Sequence, residues 1–252
     1  MSSAKDAVEI VSFLVRSKGP QKLTDVGKAL HISNSTVHRI MSSLKSAEWV
    51  VQEPLTKRYK VGTRFLEVAL SLTSQIDLKD VSLPLLRSLH SEANESVMLS
   101  ARVGLERIYL EQMRSDYELQ PIVEIGKRYP LWLGASGKAI LAYLEEGERE
   151  TVIARAKGSG PPISASGQAI DFDKLRQELI RVRARGFSLS KGERIAGTNS
   201  VAAPVFSRDR RVVGAISLGG PAVRFSFEQA RRYGPRVKEI AEKISLQLVE
   251  QP

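Results

Sequence analysis

Apolar positions along the first 60 residues recur at helical spacing in three short blocks, then switch to the shorter period of strands. Over residues 4–17, Val8, Val11 and Val15 share one helical stripe, with Ala7, Ile10 and Leu14 on its flank, and Gly19-Pro20 ends the run. A second, short helix runs to about Leu30; Thr24 is its expected N-cap and Asp25 stands in its first turn. Ser33 is placed to cap a third helix from Asn34 to about Ala47, whose Val37, Ile40, Met41 and Leu44 form an i, i+3, i+4, i+7 core stripe. Val26, Leu30, Ile32, Val37 and Ile40, with the small Gly27 at the crossing, are the contacts two short helices need to pack steeply, as in a helix-turn-helix. His31 takes the turn position and tolerates a positive φ better than most residues. Opposite the apolar stripe of the third helix lie Ser35, Arg39, Ser42 and Ser46, small hydroxyls and one arginine that let a helix approach a duplex closely.

After this unit, Trp49-Val50-Val51 and Arg58-Tyr59-Lys60-Val61 read as two strands around the loop Glu53-Pro54-Leu55-Thr56-Lys57. A hairpin carrying Lys57, Arg58 and Lys60, directly after a helix-turn-helix, makes a wing whose cations can follow a DNA backbone. Arg64 to Leu72 is apolar on more than one side and predicts a linker helix packed on its own domain or a partner chain. Beyond it, a helix over Leu78–Glu92, strands over Ser96–Val103 and Arg107–Met113, helices over Ala135–Leu144 and Phe172–Arg185, a hairpin of Ser200–Phe206 with Val212–Leu218, and a closing helix from Phe227 to about Val249 indicate an α+β domain. The loop Lys157–Ser166 carries Gly, Ser and Pro. The expected division is residues 1–62, a linker over 63–76, and 77–252.

Composition narrows the function. The chain has 252 residues, no cysteine and three histidines (His31, His38, His90), which removes disulfides and thiolate metal sites and leaves too few imidazoles for a zinc site. No metal or cofactor is expected. The start MSSAKDAVEI, with Lys5, Asp6 and Glu9, lacks the apolar core of an export signal, so a cytoplasmic protein is expected. Lys and Arg exceed Asp and Glu by 38 to 28, and residues 1–72 hold eleven of those cations against six acids. Half the excess thus sits on the helix-turn-helix and its flank, as a polyanionic partner requires.

The run Leu23-Thr24-Asp25-Val26, then Ser35-Thr36-Val37-His38-Arg39, then Trp49-Val50 and Tyr59-Lys60-Val61-Gly62 resembles the IclR-type bacterial transcriptional regulators. Pro130-Leu131 with Ala135-Ser136-Gly137-Lys138-Ala139-Ile140-Leu141-Ala142, Arg185-Gly186-Phe187 with Gly192-Glu193, and Val201-Ala202-Ala203-Pro204-Val205 with Val213-Gly214-Ala215-Ile216-Ser217-Leu218-Gly219-Gly220-Pro221 resemble their GAF-like effector-binding domain. The resemblance covers nearly the whole chain. It implies a winged helix-turn-helix joined by a linker helix to that domain, and a ligand-responsive regulator, repressor rather than activator, acting as a homodimer or as a tetramer of paired dimers on double-stranded operator DNA. The DNA-contact residues are then Thr24, Asn34, Ser35, Thr36, His38, Arg39, Ser42, Lys57 and Arg58. One departure is Glu48, where the family has glycine; a left-handed residue is costly for glutamate, so a different helix end is expected.

Gly134-Ala135-Ser136-Gly137 opens a helix with almost no side chain, so a ligand can touch its N-terminal N–H groups. The resemblance assigns the remaining effector contacts to Ser190, Thr198, Ser200, Ser217 and Gly219, with Ala135 and Ser136 at the helix start and Pro121 and Tyr129 as an apolar wall. Some relatives have an acid at Ser190, a cysteine at Ser200 and a serine at Gly219. The effector expected for the hydroxyl-lined pocket that results is a hydrogen-bonding small molecule, aromatic or carboxylate-bearing.

The alternative is a small-molecule-processing enzyme that uses the head for oligomerisation. Against it, the pocket motifs hold no nucleophile–base–acid set, and no histidine follows residue 90. Ser42-Ser43-Leu44-Lys45 and Ser188-Leu189-Ser190-Lys191 match the Ser-x-x-Lys spacing of acyl enzymes, but the other motifs of those enzymes are missing from the sequence.

Overall fold

A computed structural model describes residues 3–65, 67–68, 77–158 and 162–250. The chain divides into two compact units, residues 1–76 and 77–252.

In the first unit, helices α1 (Ser3–Arg16), α2 (Leu23–Leu30) and α3 (Asn34–Ser46) precede a hairpin of β1 (Val50–Gln52) and β2 (Tyr59–Val61). The stripe expected to be buried on α1 is not the one that faces the core. Ile10 and Leu14 are buried there, while Val8 and Val15 are 66% and 48% exposed. Both rows have helical spacing, and the larger side chains, with Phe13 beside them, win the core against Val26, Val37, Ile40 and Met41.

Thr24 does not cap α2. Lys22 is the N-cap and offers no side-chain bond, whereas Ser33 caps α3 as expected, its Oγ accepting from the Thr36 N–H at 3.3 Å. His31 adopts φ 55° and ends α2. Gly27 permits the crossing of α2 and α3: a Cβ there would lie 2.8 Å from Asn34 Oδ1 and 2.9 Å from the Ile32 carbonyl.

The expectation that α3 ends differently at Glu48 is overturned. Glu48 takes φ 63°, and the N–H groups of Glu48 and Trp49 return to the carbonyls of Lys45 and Leu44 at 3.1 and 2.9 Å. These two bonds hold the left-handed residue despite its side chain. Of the expected linker helix, residues 63–65 and 67–68 are helical, and the rest of 63–76 lies outside the described residues.

The second unit runs α4 (Asp77–Ala93), β3 (Ser96–Val103), β4 (Glu106–Met113), β5 (Arg128–Pro130), α5 (Gly134–Leu141), α6 (Glu146–Gly158), α7 (Phe172–Arg185), β6 (Ser188–Lys191), β7 (Thr198–Phe206), β8 (Val212–Pro221) and α8 (Phe227–Glu250). Six strands form one sheet in the order β5-β4-β3-β8-β7-β6, each neighbouring pair antiparallel. Alternation assigns the two faces. Val97, Leu99, Val201, Ala203, Val205, Ile216 and Leu218 pack with α4 and α8, while Ala202, Val212 and Ala215 pack with α5, α6 and α7. The six-stranded sheet and its covering helices make this unit α+β. Helix α7 spans the predicted Phe172–Arg185; Asp171 caps it by accepting from the N–H groups of Asp173 and Lys174, and it stops at Gly186 with φ 86°. Helix α6 and the short strands β5 and β6 carried no reading from the sequence. The segment Glu146–Gly158 buries only Val152, Ile153 and Ala156, too few to write a clear stripe.

Candidate DNA interface and effector pocket

On α3, Ser35, His38, Arg39, Ser42 and Ser46 are all exposed, on the side away from Val37, Ile40 and Met41. Among the described residues, Arg39 reaches only the Ser3 hydroxyl, at 3.4 Å. The predicted contacts on the same helix are not equally available. The Thr36 hydroxyl accepts from Ser33 Oγ at 2.9 Å and is half-buried in the cap, and Asn34 turns its Oδ1 toward Gly27 of α2. Thr24 is exposed in the first turn of α2.

At the wing, Lys57 (φ 55°) and Arg58 are exposed, and Gln52 donates to the Lys57 carbonyl at 3.1 Å to hold the turn. Among the described residues, Arg39, Lys57 and Arg58 form no ion pair with a carboxylate, whereas Lys60 pairs with Glu53 at 3.6 Å. Exposed cations of this kind are cheap to keep free, because water solvates them.

The pocket of the second unit is built by strand register. Ser190 pairs with Ser200, Ser200 with Gly219, and Gly219 with Ser96, a row of small residues across β6, β7, β8 and β3. The next row is Ser188, Ala202, Ser217 and Met98. Apart from Met98, these two rows make a floor with little side chain, and the start of α5 lies over it. Ser188 donates to the Ala135 carbonyl at 2.6 Å and fastens the helix to the floor. At Gly219 a Cβ would meet that of Ser200 at 3.0 Å, so the pair cannot both carry bulk.

The structure brings Pro121, Ala135, Ser136, Ser190, Thr198, Ser200, Ser217 and Gly219 together around one cavity of about 30 Å³. Tyr129 does not line it but stands behind Tyr109, edge to face at 5.2 Å. The expected ligand contact at the start of α5 needs correction: the Gly134 N–H donates to Glu193 at 2.9 Å, and Glu193 also pairs with the buried Lys138. The chain's own carboxylate therefore takes the first position at that helix end.

Arg107, Tyr109, Met98, Arg194 and Asn199 also line the cavity, and sequence reasoning missed them. Arg107 is 1% exposed, its guanidinium 4.7 Å from the Tyr109 centroid and 5.3 Å from that of Tyr129. Its Nη1 donates to Ser100 Oγ at 3.5 Å, and among the described residues its Nε has no partner. Burial pulls its pKa below the usual arginine range; the charge of Arg194 acts the same way and Tyr109 opposes both. Stacking on two rings returns ~2 kcal/mol or more when desolvated, less than the several kcal/mol that burying an ion costs. The cation is under-compensated. Its only signal in the sequence is an arginine two residues before a tyrosine on a strand, which reads equally well as an outward charge.

The family described as "Bacterial transcriptional regulator IclR C-terminal" matches residues 70–246, and "IclR helix-turn-helix domain" matches residues 3–54. The chain is 29% identical over 223 residues, 88% of each chain, to the HTH-type transcriptional regulator KipR of Bacillus subtilis (strain 168). It is 26% identical over 241 residues, 96% of this chain and 88% of the relative, to the HTH-type transcriptional repressor AllR of Escherichia coli (strain K12). Among solved structures, the Thermotoga maritima IclR superposes with a TM-score of 0.74 at 25% identity over 98% of each chain. An IclR homolog complexed with 4-hydroxybenzoate, from Microbacterium hydrocarbonoxydans, has a TM-score of 0.83 at 21% identity over 99% of this chain and 100% of that one, a likeness of fold. Since the two family matches together span residues 3–54 and 70–246, the chain belongs to the IclR family of bacterial transcriptional regulators, with an N-terminal helix-turn-helix and a C-terminal effector domain.

Proposed function

We propose that this regulator is a cytoplasmic repressor that holds an operator through α3 and the wing, and that a small molecule seated between the start of α5 and the strand floor changes its grip. The observation that carries the first half is the exposed α3 face, with Arg39 free of any carboxylate among the described residues and two further such cations at the hairpin. One recognition helix reads only a few base pairs, so specificity requires two heads on a pseudo-palindromic site, in a homodimer or a pair of dimers. Arg39 is assigned to a guanine edge, with Ser35, His38 and Ser42 beside it, and Lys57 and Arg58 to phosphates. Asn34, Thr36 and Thr24 flank this contact. The name of the E. coli relative, a repressor, supports the sign of regulation.

The second half rests on eight pocket positions converging on one cavity. The 4-hydroxybenzoate bound by the Microbacterium protein supports a small polar ligand for this fold. A ligand that prefers one arrangement of the heads by ~1–3 kcal/mol changes operator affinity 5- to 150-fold. The test is a mobility shift on the DNA upstream of the chain's own coding sequence, repeated with a metabolite panel on the native chain and on Ser136→Leu and Ser200→Leu. At least one metabolite should shift native occupancy, and both variants should lose that response. A response that survives both substitutions contradicts the pocket assignment.

A further inference from the structure

We infer that a second cavity of this unit, separate from the effector pocket, binds an anion with a flat apolar body, its charge on Lys138 and Lys191 and its ring against Trp132. The inference goes beyond the function proposed above and does not depend on it.

The cavity measures about 340 Å³, against about 30 Å³ for the effector pocket, and no residue lines both. Small-molecule sites span ~300–1,000 Å³, so this space admits a ligand without rearrangement. It lies between α5, α7 and the end of β6, beside the segment 162–170. That segment is folded on itself by a bridge between Ile163 and Ala169 and by Ser164 Oγ, which accepts from the Gln168 N–H at 3.1 Å. The Ala165 N–H donates to the Glu193 carbonyl at 2.7 Å and ties the segment to the chain after β6.

Three carboxylates and three ammonium groups line the cavity, and they are not matched. Asp171 caps α7 and pairs with Lys174 at 3.5 Å. Glu178 is taken by Arg185 and by Arg181, neither of which lines the cavity. Glu193 divides its oxygens between the Gly134 N–H and Lys138. The acids are all committed. Lys191, by contrast, pairs with no carboxylate among the described residues. Lys138 is 6% exposed, its ammonium carries three donors, and Glu193 is its one partner among the described residues. A buried ammonium with donors to spare, beside a second without a carboxylate, leaves the cavity short of negative charge. Trp132, Ile170 and Leu175 add an apolar wall. An anion attached to a ring satisfies both features. Lysine acts as a point charge, so a carboxylate and a phosphate head group share this chemistry.

The experiment is a fluorescence titration of the full chain carrying Trp49→Phe, which leaves Trp132 as its one tryptophan, with thermal melting alongside. The probes are matched pairs: phenylacetate and phenylacetamide, 4-methylbenzoate and 4-methylbenzamide, phenyl phosphate and phenol. At least one anion should change Trp132 emission saturably and raise Tm, with its neutral counterpart weaker by roughly tenfold or more. Whether the carboxylates or the phosphate respond identifies the head group. Lys191→Gln should weaken that binding about tenfold, and because Lys191 does not line the effector pocket, the loss places the anion here. Glu193→Gln removes the carboxylate that competes for Lys138 and should tighten binding about tenfold. The inference is overturned by a panel in which no anion acts on Trp132, by a neutral counterpart that binds as well as its anion, or by full affinity in Lys191→Gln. Unchanged or weaker binding in a folded Glu193→Gln chain also overturns it; should that variant fail to fold, Lys191→Gln decides.

Discussion

The two units keep cations without carboxylates in opposite ways. In the head, Arg39, Lys57 and Arg58 are exposed and form no ion pair with a carboxylate among the described residues, so their charge is solvated by water. In the second unit, Arg128, Arg176 and Arg236 are held in ion pairs, and Arg107, with no carboxylate partner among the described residues, lies in the interior. The first arrangement costs little and gives affinity that salt can erase; the second is expensive and gives a preference that salt barely reaches. Free charge on a surface reads a polymer. Free charge in a cavity reads one small ligand.

Ionic strength is the strongest lever on this comparison. If each head neutralises ~4 phosphates, a dimer's log K falls with log salt at a slope of about −7, a loss of roughly 10⁴ between 50 and 200 mM. Ligand affinity at the pocket should change far less over the same range, measured by calorimetry in matched buffers. Equal salt sensitivity at the two sites would erase the distinction between them.

A smaller effect, confined to the head, comes from Gly27→Val. The added side chain meets Asn34 and the Ile32 carbonyl, forcing α2 from α3 at a cost of ~1–3 kcal/mol. Operator binding should fall while the ligand response of the second unit persists; a parallel loss in both would show that the units do not behave separately. Ser33→Ala removes the cap of α3 and should cost ~1 kcal/mol, visible as a lower denaturant midpoint of the head. The mildest change runs the other way: Glu48→Gly relieves a left-handed non-glycine residue and should stabilise the head by about 1 kcal/mol. A destabilised Glu48→Gly would mean that the glutamate side chain supports the entry to the wing.

The same contrast explains what could be read in the sequence. The head is local: the Ser33 cap, the His31 turn and the Val37–Ile40–Met41 stripe act within a few residues of one another, so their spacing predicts them. The face of α1 was misread because two rows of equal spacing compete, and only the size of Ile10, Phe13 and Leu14 settles which is buried. Thr24 has the right chemistry for a cap but stands two residues past the N-cap position, which Lys22 holds. The pocket depends on register between distant strands. Family likeness carried Ser190, Ser200, Ser217 and Gly219, whose small size is visible in the sequence. Arg107 and Arg194 were not legible, because the direction in which they point is set by pairing β4 with β3 and β5 and by the turn after β6.

The central claim, that α3 and the wing read a specific duplex, is tested most directly by measuring the affinity of the full chain for its own upstream intergenic DNA and for a scrambled duplex of the same length, across a series of salt concentrations, with native Arg39 and with Arg39→Ala. The account predicts tighter binding to the cognate duplex at every salt concentration, and a loss of ~1–3 kcal/mol on Arg39→Ala that falls on the cognate duplex and spares the scrambled one. Equal affinity for both duplexes throughout the series would contradict it.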